Sequence, residues 1–216
     1  MKQILFTNLS NGNYLLTING VAYQLINVKA GTFQMGEWGG CHPETIISDF
    51  LIGEIPVTNE LFNTVMDEDT ALGNKKPAVN KTLDEFLEFI EKLNQITHLQ
   101  FRLPTEKEWE YAAKGGHKSR GFKFSGSDKL SDVAFFHDME GPTKLQEVKQ
   151  FKPNELGLYD MTGNICEITS DVTETGDSII KGGSWYNLNT KRFDPGITWT
   201  SNSVKDRGVG IRLVLQ

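Results

Sequence analysis

Cysteine is scarce in this chain. Cys41 and Cys166 are the two thiols among 216 residues, and one pair makes no disulfide framework. The expectation is two free, buried thiols in a reducing setting. Long apolar runs are also missing. No stretch approaches the ~18 residues of a membrane span. The opening MKQILFTNLSNGNYLL carries one early lysine, and polar residues interrupt any signal-peptide core. The chain therefore reads as mature cytoplasmic, phage-displayed or cell-surface-displayed protein, with no signal peptide evident and no transmembrane segment. His42, His98, His117 and His137 lack metal-ligand spacing. His42 beside Cys41 would need two further ligands that the sequence does not indicate. Positive charge is not in excess: the net charge is −6 and no basic patch stands out, which argues against a nucleic-acid partner. The seven prolines and 21 glycines are scattered, so no linker divides the chain, and residues 1–216 read as a single domain.

Local signals are present in good number. In FRLPTEKEWEYAAKGG (residues 101–116), Pro104 keeps Leu103 out of helix. Thr105 and Glu108 form a capping box. Trp109, Ala112 and Ala113 then share one helical face, and Gly115-Gly116 supplies a stop. A second capping box, Thr82 with Glu85, opens a helix predicted over residues 82–96, with Leu83, Phe86, Leu87, Ile90 and Leu93 as its core stripe. Thr58 is a candidate cap for a third helix with Leu61, Phe62, Val65 and Met66 inward. Residues 3–35 read as strands, with Asn11-Gly12 and Asn19-Gly20 as hairpin turns. Residues 178–186 and 209–215 also read as strands. Residues 67–81 and 117–155 lack periodicity. The composite is an α+β chain with short strands, two to three helices and much irregular loop.

Three pieces stand in order: FRLPTEKEWEYAAKGG, NELGLYDMTGNICE (residues 154–167) and KGGSWY…GIRLVL (residues 181–215). Together with GTFQMG (residues 31–36) they resemble the formylglycine-generating enzyme (sulfatase-modifying factor) family, over nearly the whole chain. The resemblance implies a C-type-lectin-like fold. It further implies a calcium ion held by Asp160, Gly163, Ile165 and Glu167, two carboxylates and two carbonyls that suit a hard cation. A second calcium site would begin at Asp132 and Val133 but lacks its acidic loop. Cys166 and Ile168 stand where the family commonly has tryptophans. The family's oxidases bind copper(I) through two cysteines after the GGS element. The matching positions here are Asn187 and Arg192, neither of which is a soft ligand, so no copper and no catalytic residue are expected.

The GGSW…GIRLV ending also resembles the variable proteins of diversity-generating retroelements, which display mutable residues on this fold. The resemblance implies a ligand-binding surface made of Trp185, Tyr186, Asn187, Asn189, Thr190, Lys191, Phe193, Asp194, Trp199, Thr200 and Asn202. Aromatic and small polar residues of this kind suit a paratope. The implied partner is a protein or glycan ligand or receptor. Two other readings stay open from the sequence: an oxidase-family enzyme with an altered site, and an accessory protein with one fixed partner.

Overall fold

The structure is a computed structural model that describes residues 2–37, 40–68, 73–134, 144–185, 187, 190–202, 204–206 and 208–215. It opens on a meander of three antiparallel strands, β1 (Ile4–Asn8), β2 (Tyr14–Ile18) and β3 (Val21–Val28). The β2–β3 hairpin pairs Ile18 with Val21 across the two residues Asn19 and Gly20, both at positive φ. That turn follows the right-handed twist of the strands it joins. A separate hairpin follows, β4 (Gly31–Met35) with β5 (His42–Ile46). Next in the chain is β6 (Phe50–Gly53).

Three helices follow: α1 (Asn59–Met66), α2 (Leu83–Thr97) and, after the short strand β7 (Phe101–Arg102), α3 (Glu106–Ala113). Their starts are set by the predicted threonines. Thr58, Thr82 and Thr105 each accept a bond from the third residue of the helix, and Thr82 and Thr105 form complete capping boxes with Glu85 and Glu108. The α2 stripe differs from the expected one. Leu87 is 46% exposed, while Phe86, Phe89, Ile90 and Leu93 are buried. Phe89 stacks on Phe62 of α1 at 5.0 Å and Phe86 meets the same ring edge-on at 6.1 Å, so aromatic packing between the helices selects the face.

The later strands are β8 (Cys166–Val172), β9 (Ser178–Lys181), β10 (Trp199–Ser201), β11 (Val209–Ile211) and β12 (Val214–Leu215). They complete a six-stranded sheet, ordered β1-β2-β3-β6-β12-β7, and build a four-stranded one, β10-β9-β8-β11. The strand expected over 178–186 stops at Lys181, because Gly182 and Gly183 turn the chain at φ values of 93° and 73°. The stretch expected as one strand over 209–215 is two: β11 pairs with β8, and β12 crosses to the other sheet between β6 and β7.

Strand alternation places core on both faces of the large sheet. Val21, Tyr23 and Leu25 of β3 face α1 and α2 in one cluster, and Ile26 and Val28 join Trp109 and Tyr111 of α3 in another. The segment 116–134 is irregular apart from two short 3-10 turns, in keeping with its lack of periodicity.

Candidate ligand-binding face

The face begins where β9 ends. A Cβ on Gly183 would lie 2.8 Å from the Arg192 carbonyl, and one on Gly182 would lie 3.1 Å from the Trp109 ring. The glycine pair thus lets the chain turn tightly over α3. Ser184 is fully buried, and its N–H donates to Asn187 Oδ1 at 2.7 Å while the Asn187 N–H returns a bond to the Ser184 carbonyl. Trp185 N–H donates to the Asn164 carbonyl, which ties the face to the GN of NELGLYDMTGNICE. A 3-10 turn, Thr190–Phe193, follows. Arg192 then lays its guanidinium 3.8 Å from the ring centroid of Trp199, the first residue of β10.

The predicted contact residues separate by burial. Lys191, Thr200 and Asn202 are exposed, and Trp185, Asp194 and Trp199 are half-buried. Two expectations need correction. Phe193 is fully buried, packed with Phe124 and Val133, so it pins the turn to the 117–134 segment and is no contact residue. Asn187 is 9% exposed, and its side chain is used in the Ser184 turn. Tyr186, Asn189 and the side chain of Thr190 lie outside the described residues.

Beneath the face is a polar network that the sequence reading missed. Lys181, fully buried, pairs with Glu110 at 3.0 Å and Glu106 at 3.3 Å, and donates to Thr198 Oγ1. Thr198 also bonds Glu106. Glu110 in turn accepts from Lys114 Nζ and from the Gly36 N–H, at 2.7 and 2.6 Å. Glu106 and Glu110 stand one turn apart on α3 and so share a face. That spacing, with a lysine just before the glycine pair, was the available signal.

The carboxylates expected to hold calcium, Asp160 and Glu167, already have partners in the protein. Glu167 is fully buried, and both its oxygens are taken by Arg212, at 2.9 and 2.7 Å, with Trp109 Nε1 donating a third bond at 2.6 Å. Arg212 also donates to the Gly53 and Tyr159 carbonyls. A guanidinium therefore supplies the cation that Glu167 needs. Asp160 Oδ2 accepts from the Lys149 N–H, and burial pushes its carboxyl up to about 6. The Gly163 carbonyl accepts from the Ile165 N–H. Glu167 and Asp160 thus both have partners within the protein. Among the described residues, no group of three or more His, Cys, Asp or Glu side chains is arranged to hold a metal.

Asn187 and Arg192, which the resemblance sets near the oxidases' cysteine pair, present an amide and a guanidinium. Cys166, remote in sequence, is brought beside them, its sulfur 4.0 Å from Asn187 Oδ1. Burial pushes this thiol up to about 12, so it stays protonated. Both cysteines are free, as expected, but Cys41 is exposed where burial was expected.

The pattern that defines the sulfatase-modifying factor enzyme 1-like domain matches residues 19–216. This chain belongs to that family. Within it, the chain is 27% identical to the "Chaperone protein LppX" of Paenibacillus barcinonensis, over 88% of this chain and 89% of that protein. It is 24% identical to the "Inactive C-alpha-formylglycine-generating enzyme 2" of Bos taurus, over 82% of this chain and 81% of that one. Among solved structures it is similar to Treponema denticola variable protein 1, with a TM-score of 0.79 and 26% identity over 94% of this chain and 98% of that one. The expected α+β, C-type-lectin-like fold of the family is thereby shown. No helix among the described residues is long and apolar enough to cross a membrane.

Proposed function

We propose that this sulfatase-modifying factor-like protein acts by binding and performs no catalysis, presenting its 185–202 stretch to a protein or glycan ligand. The observation that carries the reading is the division of labour in that stretch. Ser184, Asn187 and Phe193 are buried and fix the backbone, while Lys191, Thr200 and Asn202 are exposed and half-buried Trp199 is held under Arg192. Changes at exposed positions would alter contacts without removing core, which suits a surface that varies. The similarity to a variable protein of T. denticola supports the same reading. An oxidase with an altered site is disfavoured by the amide and guanidinium at the cysteine-pair positions and by the protonated Cys166 thiol.

Sequencing codons 185–202 from the source population tests the display reading. Changes concentrated at adenine-containing codons, with Gly182, Gly183 and GIRLVL constant, are the expected result. A uniform stretch would sink diversification and favour a single fixed partner, a reading that the similarity to a chaperone also supports. For the absence of catalysis, a cysteine-containing sulfatase peptide incubated with copper-loaded protein should keep its thiol. Formylglycine in its mass spectrum would overturn that part.

A further inference from the structure

Beside the candidate face, and sharing Asp194 with it, lies a cavity of about 480 Å3 between the β4–β5 hairpin, the end of α3 and the 116–123 segment. That is within the range of small-molecule sites, ~300–1,000 Å3. Phe33, Tyr111 and Phe122 give it aromatic walls, and Phe33 and Tyr111 are already packed together at 5.2 Å. The charges on the wall can be sorted by how they are used. Lys114 donates to the Gln34 carbonyl, the Gly36 carbonyl and Glu110, all within 2.8 Å. An ammonium has three donors, so Lys114 has none left for a ligand. Asp194, which joins the cavity to the display face, accepts from the Gly196 N–H. Lys123 lies 5.2 Å from the Phe124 ring and forms no ion pair with the described residues.

The chain-wide charge of −6 hides a local reversal here. Residues 114–129 hold five lysine and arginine side chains against one acid, Asp128. The stretch His117 to Gly121 is exposed at the cavity's edge, with Arg120 stacked on Phe122 at 4.8 Å. The loop's irregular path is itself well tied down: the Arg120 N–H donates to Glu155, and the Lys123 N–H to Asp128. Aromatic walls under a cationic rim complement a molecule with a flat apolar body and one negative group. The geometry points to this cavity as a binding site for a small aromatic organic anion, with Lys123 as the charge that meets the anionic group. The assignment does not rest on the display reading.

The test uses 8-anilinonaphthalene-1-sulfonate on the folded protein, with uncharged N-phenyl-1-naphthylamine as comparison. Fluorescence titration should show saturable binding of the sulfonate. Lys123→Glu should weaken it by about fivefold or more, the size of one modest ion pair. Thr32→Trp, at an exposed wall position, should abolish it by filling the space. Cys41 adds a readout that a stray apolar patch would not move, because this exposed thiol lines the cavity while Cys166 is buried. The sulfonate should slow alkylation of Cys41 by iodoacetamide, with Cys166 unmodified throughout. Unchanged affinity in Lys123→Glu, equal binding of the uncharged dye, or unprotected Cys41 would each overturn the assignment.

Discussion

Arg212 and Glu167 are both fully buried and hold each other through two hydrogen bonds, with Trp109 donating a third to the carboxylate. Removing one partner of such a pair leaves an uncompensated charge in the core. Arg212→Met should therefore destabilise the fold by roughly 3–5 kcal/mol in urea unfolding, and adding Glu167→Leu should recover part of the loss. Neither member was legible as a pair, since 45 residues separate them and only the fold brings them together. From the motif, Glu167 was expected to face calcium, and its partner in the structure is Arg212. Asp160 gives a second residue-scale prediction. Its folded carboxyl titrates at about 6, above the ordinary 3.8. A raised value means that its contribution to stability is complete below about 3.8 and is lost as the pH rises through about 6. Asp160→Asn should flatten the melting temperature between pH 4 and pH 7, with its largest gain over the native protein above pH 6. A parallel pair of curves would show that Asp160 is not the group involved.

Elements differ in how far the sequence discloses them. Helix starts were legible because a cap is local: Thr82 and Glu85, or Thr105 and Glu108, satisfy each other within four residues. Strand ends were not, because their partners are distant. β12 pairs with Ile52 and Arg102, and nothing near Val214 announces either. The end of β9 depends on Gly182 and Gly183, whose close neighbours are Trp109 and Arg192. Gly183→Ala would place a Cβ 2.8 Å from the Arg192 carbonyl on a residue at φ 73°. Strain of this kind costs of order 1–3 kcal/mol, and it should also loosen the Arg192–Trp199 stack. A fall in melting temperature together with altered tryptophan fluorescence is expected, and an unchanged spectrum would separate the turn from the stack.

At the scale of the whole molecule, the two sheets and three helices hold the face around buried ion pairs. The cation in the polar centre is Arg212, and Lys181 serves the same purpose under Thr198. Treatment with EDTA should leave the melting temperature where it was. An ion bound only by the folded state would stabilise it, so a fall on chelation would restore the calcium reading. The candidate face was legible in outline, because GGSW and GIRLVL bracket it. Its division into buried Asn187 and Phe193 and exposed Lys191, Thr200 and Asn202 was not, since composition carries no direction.

The position of β12 bears on how damaged copies of the gene fare. The strand lies downstream of the 185–202 stretch and completes the large sheet by filling the gap between β6 and β7. A frameshift or stop codon inside that stretch removes the strand and leaves the edges of β6 and β7 unpaired in the interior. Such a copy loses its scaffold along with its surface. The large sheet is therefore complete only in a chain translated in frame through residues 185–202.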